Sequence, residues 1–154
     1  AGHGPASGGR AIGMAVAGLA AGAALIGGSV ALGLVQPGGF SVVALVVFTA
    51  AIAVGAAIAW TGWPELGGTM LAYALAARGP VAILMLVAIA GNWGTHYDVA
   101  PPGMPEMGVF TKWLLIGALP QLTTWIVFTM LGGMLFGSIA GAFVSRRPGR
   151  VVVA

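Results

Sequence analysis

The side chains of this chain that could do chemistry are few and lie far apart. The histidines are His3 and His96, the carboxylates are Glu65, Asp98 and Glu106, and there is no cysteine. A chain without cysteine has no disulfide, thiolate metal site or Cys-ligated iron–sulfur cluster. The sequence also lacks a Ser/His/Asp set, a metalloprotease helix and a phosphate-binding loop. We therefore predict a protein that is not an enzyme.

The amino-terminal sequence Ala1-Gly2-His3 is one candidate metal site. A free α-amino group, two amide nitrogens and the imidazole of His3 could hold Cu(II) or Ni(II) in the square plane that these ions favour. This chemistry requires Ala1 to be the true amino terminus.

The segment around His96 holds the other ligand candidate. His96 and Asp98 could bind a metal, and His96 alone could be an axial ligand of haem or contact a chlorin. Closed metal sites usually need about three or four ligands, so this pair is incomplete. Trp93 and Tyr97 are residues that a membrane–water interface favours. The favoured interpretation is interfacial anchoring or docking of a partner, and the sequence requires no cofactor.

Arg78 is the only charged residue deep inside a predicted membrane span, since Lys112 lies at the very start of the fourth. A charge at the centre of a span costs roughly 2.5–3.5 kcal/mol on insertion scales, so such residues usually face a partner, a cavity or an anion. No carboxylate of this chain lies in a predicted span, so we predict that Arg78 contacts the acid of a lipid or a cofactor. In an alternative, residues 64–78 form a surface helix that breaks at Gly79 and Pro80, and Arg78 lies at the lipid headgroups.

The composition indicates that membrane helices position these residues. Hydrophobic residues make up 59% of the 154-residue chain and charged residues only 6%, against about 25% charged residues in an average soluble domain. This deficit excludes a soluble enzyme. The net charge of +3 does not indicate nucleic-acid binding, because the only basic cluster, Arg146, Arg147 and Arg150, directly follows an apolar run. The preference for Arg over Lys, with 27 Gly, favours a prokaryotic source.

Four apolar runs are long enough to cross a membrane, which takes about 20 residues. The segment between the last two runs, residues 92–109, is the one sizeable outer loop. The predicted fold is an all-α integral membrane protein, a bundle of about four transmembrane helices. The alternative is three spans plus one interfacial or re-entrant helix. The predicted spans are residues 11–35, 40–60, 66–91 and 110–144.

Basic residues predict the orientation of this bundle. With four spans, both chain ends lie on the same side, and the other side holds only Lys112. Cytoplasmic segments carry the excess of Arg and Lys. We therefore expect a multi-pass protein of the cell membrane with both termini cytoplasmic. The basic residues on the cytoplasmic side are Arg10, Arg146, Arg147 and Arg150.

Glycine spacing predicts where helices approach each other closely. Gly133, Gly137 and Gly141 recur every four residues in the fourth span, and Gly18 and Gly22 do so in the first. In lipid the hydrophobic effect does not drive helices to associate. Close backbone contact over small residues therefore holds them together. We expect the first helix to pack on the fourth through these glycines. The alternative is that a glycine face contacts another subunit.

Pro120 and Gln121 interrupt the fourth span. Because Pro120 has no N–H group, it leaves the carbonyl of Ile116 unpaired and should kink the helix. We expect the hydroxyls of Thr123 and Thr124 to donate hydrogen bonds to the backbone at this kink. The alternative is a substrate path.

Two functions are compatible with these features. The favoured one is a non-catalytic accessory or structural subunit of a larger membrane complex, for example a respiratory or photosynthetic one. It would pack against other membrane subunits, lipids or pigments, and not against nucleic acid. The second is a small transporter or channel that acts as a homo-oligomer, with Arg78 and Gln121 at the bilayer midplane. The first two spans offer few polar groups for such a path: Ser29, Ser41 and Thr49.

Overall fold

The computed structural model describes residues 5, 7–36 and 41–145. The metal candidate His3 and the basic cluster at 146, 147 and 150 lie outside the described residues. In the described part of the chain, four helical segments are long and apolar enough to cross a membrane, and no strand is present. The predicted all-helical fold with four spans is therefore confirmed. Its architecture is that of a multi-pass membrane protein.

The first span is α1, Gly8–Ala31, which begins and ends earlier than the predicted 11–35. It begins early because the hydroxyl of Ser7 accepts a hydrogen bond from the N–H of Arg10 at 3.4 Å and caps the helix. It ends early because Gly33 takes a left-handed φ of +70°. The N–H groups of Gly33 and Leu34 then bond back to carbonyls of the last turn, which is the Schellman ending that glycine favours.

The second and third spans are α2, Val42–Trp60, and α3, Pro64–Gly91. Proline is favourable at the first position of α3, because the N–H that it lacks has no partner inside a helix. The helix α3 is continuous through Gly79 and Pro80. The alternative in which residues 64–78 form a separate surface helix is therefore wrong. Arg78 lies in a full-length span.

The fourth span, Val109–Val144, is long and apolar but is not one regular helix. In its π-helical turn the N–H of Leu119 donates to the carbonyl of Leu114, five residues back. The turn ends just before Pro120, which cannot donate a bond of its own. The hydroxyl of Thr123 donates to Leu119 and not to the predicted Ile116. The pieces of the span are α4 (Val109–Lys112), the π-helical turn (Trp113–Ala118), α5 (Leu119–Leu122) and α6 (Thr124–Ser145).

The bundle is packed around α6. The helices α1, α2 and α6 contact one another, whereas α3 packs along the fourth span and has little contact with α2. The apolar core lies where the end of α2 meets the first halves of α1, α3 and α6. Its buried residues are Ala15, Ala56, Ala59, Ala74, Ile126, Met130, Leu131 and Met134.

The glycines of α1 pack on α2. A Cβ placed on Gly22 would lie 3.3 Å from the carbonyl oxygen of Ala51, and one placed on Gly18 would overlap the carbonyl of Gly55. The prediction that these glycines hold the first helix against the fourth is therefore wrong. Small residues on both helices let the two backbones meet, and α2 supplies the matching glycine.

The glycines of the fourth span face α3 and not α1. A Cβ placed on Gly137 would lie 2.9 Å from Cδ2 of Leu66. Side chains of this same chain therefore fill the glycine groove, and it is not free for another subunit. The other two contacts of this face are Gly133 with Met70 and Gly141 with Trp63.

Candidate functional site

Arg78 lies near the midpoint of the 28-residue helix α3, about 20 Å from either end. Its Nη2 donates a hydrogen bond of 3.0 Å to the hydroxyl of Thr129 in α6. Its Cζ lies 5.1 Å from the ring centroid of Trp125, within the range of a cation–π contact. Both partners are neutral, so these contacts leave the positive charge of the guanidinium uncompensated.

Gln121 is brought beside Arg78 by the irregular part of the fourth span. The π-helical turn is fixed to α3 by a 2.8 Å hydrogen bond from Nε1 of Trp113 to the carbonyl of Ala82. One turn of helix then carries Gln121, whose Nε2 donates a weak 3.7 Å bond to the sulfur of Met85. Such π-helical turns occur frequently at functional sites.

Arg78 and Gln121 line one cleft of about 390 Å³ together with His96 and Tyr97 from the 92–108 segment. The cleft therefore runs from the 92–108 segment down to the middle of the bundle. Both residues predicted to contact a cofactor or lipid, His96 and Arg78, lie in this one cavity. Its apolar walls are Val81, Met85, Ile116 and Trp125.

Two buried polar atoms at this cleft have no hydrogen-bond partner among the described residues. They are Nε of Arg78, a donor, and Oε1 of Gln121, an acceptor. Leaving such a group unsatisfied costs about 1–3 kcal/mol, and more when the group is charged. The cleft thus has unmet capacity both to donate and to accept a hydrogen bond.

The cleft is closed on the side away from the 92–108 segment. Ala74 lies one turn below Arg78 in α3 and is fully buried, and Met130 and Met134 of α6 are 6% and 1% exposed. Half-buried Leu66 and Met70 complete this packing. The described part of the bundle therefore has a packed half below Arg78 and a cleft on the side of the 92–108 segment.

Asp98 shapes the loop that carries His96 and Tyr97. Its buried carboxylate accepts hydrogen bonds from the N–H of Gly94 at 2.9 Å and from the N–H and hydroxyl of Thr95 at 2.6 and 2.9 Å. The carboxylate is thus used in local structure. No group of three or more His, Asp or Glu that could hold a metal occurs among the described residues.

His96 itself lies at the mouth of the cleft. Its ring contacts that of Tyr97 with centroids 4.0 Å apart, and the residue is exposed. The axial-ligand prediction for His96 stays a prediction. The predicted metal pairing of His96 with Asp98 also stays a prediction; both oxygens of Asp98 accept bonds from the loop.

The pKa of Asp98 gives a test of the loop. Burial raises the pKa of this carboxyl, but the bonds from Gly94 and Thr95 and the charge of Lys112 bring it below the ordinary value of 3.8. The stabilisation is therefore present above the unfolded pKa and is lost as pH falls through the lower folded pKa. We expect wild-type amides of residues 92–99 to lose hydrogen-exchange protection, corrected for intrinsic rates, as pH falls below about 4.

Asp98→Asn should lose part of this protection already at neutral pH and should show a weaker acid transition, because an amide has only one accepting oxygen. Glu106→Gln, at an exposed acid of the same loop, is the matched control and should behave as wild type. Equal protection in all three proteins would show that Asp98 does not hold the loop.

The comparisons with known proteins do not name a family. No protein-family model, curated protein or solved structure matches this chain.

Proposed function

We propose that this chain is a small non-catalytic subunit of a larger membrane assembly, in which Arg78 holds an anionic group that the chain does not contain. The observation that carries the proposal is the guanidinium at the middle of α3, whose contacts with Thr129 and Trp125 are to neutral groups. None of the acids of the chain is placed to compensate it. Glu65 lies in the first turn of α3, and Asp98 and Glu106 lie in the 92–108 segment.

The energies support an external anion. A cation at the centre of a span costs roughly 2.5–3.5 kcal/mol even on the lower scales. The cation–π contact with Trp125 returns about 0.5–2 kcal/mol, and a hydrogen bond to a charged group returns about 1.5–3 kcal/mol. These contacts offset much of the cost of placing the guanidinium in a span, but they leave its charge unpaired. An oxyanion in the cleft would add charge-assisted hydrogen bonds.

The assembly proposal predicts a specific effect at Arg78. Arg78→Leu should leave the chain inserted and folded, since leucine is favourable in a span, but should remove most of the partner chain or lipid that co-purifies in mild detergent. Arg78→Lys should give an intermediate loss, because lysine keeps the charge without the bidentate geometry.

The control is Arg10→Leu, which removes the same charge outside the cleft. Arg10 donates to the carbonyl of Thr61 at the opposite end of the bundle. If Arg78→Leu and Arg10→Leu co-purify with the same species in the same amounts, Arg78 does not hold an external group.

A second function, a small transporter that acts as a homo-oligomer, is favoured by one observation. Gln121 joins Arg78 in the cleft beside the π-helical turn and Pro120, and irregular helices at mid-membrane are typical of transport sites. Flux of a small anion into vesicles that contain only this chain, lost in Arg78→Leu, would favour transport over the subunit role. Absence of such flux would leave the subunit role as the proposal.

We also propose that both chain ends are cytoplasmic in the cell membrane. The start of α1 lies beside the end of α6, since a Cβ placed on Gly8 would lie 3.1 Å from that of Ala142. The two ends therefore share a side, and the basic residues favour the cytoplasm for it. In intact cells, an impermeant thiol reagent should label a cysteine introduced at exposed Val99 but not one introduced at exposed Gly9. The reverse pattern would invert the orientation.

A further inference from the structure

The two unpartnered atoms of the cleft require different things of a ligand. Nε of Arg78 is a donor and needs an acceptor, whereas Oε1 of Gln121 is an acceptor and needs a donor. An ionised carboxylate supplies the acceptor for Arg78 and the negative charge that the guanidinium lacks. The side chain of Gln121 carries an NH₂ donor beside Oε1, so its amide can turn to donate to the same carboxylate.

The rest of the cleft is suited to the apolar part of the same molecule. Its walls include Val81, Met85 and Ile116, and its volume of about 390 Å³ lies in the range of about 300–1,000 Å³ typical of small-molecule sites. Trp125 forms one wall and stacks edge-on against Phe128, with ring centroids 5.6 Å apart. The two rings are 41% and 54% exposed, so this wall continues onto the apolar surface of the bundle.

We infer that the cleft binds a single-chain amphiphilic acid, with its acid group at Arg78 and Gln121 and its chain along Trp125 and Phe128. This inference rests on the proposed role of Arg78 and names the anion that it holds. A second copy of this chain is disfavoured, because its acids do not lie near the middle of a span: Glu65 lies in the first turn of α3, and Asp98 and Glu106 lie in the 92–108 segment. An acidic helix of another protein is disfavoured, because the site is a concave cleft of small volume and not a flat face.

The test uses the full chain in nanodiscs of phosphatidylcholine and radiolabelled dodecanoic acid as the probe. Two matched molecules separate the contributions: dodecanol has the chain without the acid, and acetate has the acid without the chain. We expect saturable binding of dodecanoic acid and at least about tenfold weaker binding of either matched molecule, because each loses one set of contacts.

Variants then locate the site. Arg78→Leu should weaken dodecanoic acid binding by about tenfold or more, and Gln121→Leu should weaken it several-fold while leaving the charge in place. Arg10→Leu should bind as wild type. Helix content by circular dichroism and a single elution peak would show that each variant is folded.

The outcomes separate the two proposals. Absence of saturable binding, or equal binding by Arg78→Leu and wild type, would overturn the amphiphile. Acetate binding as tightly as dodecanoic acid would also overturn it, in favour of a small aqueous anion. If dodecanoic acid fails to bind but Arg78→Leu still removes a co-purifying chain, the subunit role stands and an acidic partner helix supplies the anion. If dodecanoic acid does not bind and Arg78→Leu co-purifies with the same species as wild type, both proposals fail.

Discussion

Gly18→Ala should lower the free energy of unfolding of the isolated chain by about 3 kcal/mol or more, at the upper end of overpacking effects. A methyl group at Gly18 would overlap the carbonyl oxygen of Gly55 and lie 3.1 Å from its carbonyl carbon. Both atoms are backbone, so no side-chain rotation relieves the overlap and α1 must move away from α2. The measurement is equilibrium unfolding in detergent, followed by circular dichroism.

Gly27→Ala is the matched control for this substitution. Gly27 is in the same helix, and a Cβ placed on it would have no neighbour within 4 Å. Alanine at an open helical position should stabilise by about 0.4–1 kcal/mol, since it restricts the unfolded chain. Equal effects at Gly18 and Gly27 would mean that α1 and α2 do not meet at Gly18.

Gly137→Ile should destabilise the isolated chain by about 1–3 kcal/mol through overpacking. A Cβ there would lie 2.9 Å from Cδ2 and 3.1 Å from Cδ1 of Leu66, so the larger side chain of isoleucine must push Leu66 out of the space between α6 and α3. The loss should appear in the absence of any partner, because the contact is internal. The midpoint of thermal unfolding in detergent measures it.

The control for Gly137→Ile lies on the same helix. A Cβ placed on Gly132 would have no neighbour within 4 Å, so Gly132→Ile should have a much smaller effect. If Gly137→Ile leaves the isolated chain as stable as Gly132→Ile does and reduces only co-purification of other chains, the groove is external and the packing of α3 on α6 described above is incorrect.

Hydrophobicity predicted the number of spans well, because a helix in lipid must be apolar over about 20 residues. The exact ends were less predictable. The first span stops at Ala31 although the apolar run continues to Val35, because Gly33 adopts a left-handed conformation. Apolar composition says where a helix can be buried, whereas local capping bonds decide where it ends.

The glycine spacing predicted close helix contacts but not their partners. Gly18 and Gly137 both lie at such contacts, yet the first faces α2 and the second faces α3. A smooth face on one helix says nothing about which neighbour fills it. The matching residue, Gly55, is the only glycine of α2, and Ala51 and Ala59 lie four residues to either side of it. This series of small residues is a sequence signal for the partner helix that glycine spacing alone does not show.

Half of the candidate site could be found in the sequence. Arg78 stands out because a charge in a span is costly, and Pro120 marks an irregular helix. That Gln121, His96 and Arg78 line one cleft depends on the π-helical turn and on the loop held by Asp98. Pro120 indicates that the helix is irregular but not where the turn lies, because the hydrogen bond from Trp113 to Ala82 of α3 sets its register.

Native mass spectrometry of the chain released gently from its own membrane tests the central claim most directly. It weighs whatever remains bound, whether lipid, free acid or protein. We predict that the wild-type chain carries an acidic species that is absent from Arg78→Leu and present in Arg10→Leu. A wild-type chain without any bound acidic species, or the same species on Arg78→Leu, would contradict the claim that Arg78 holds an external anion.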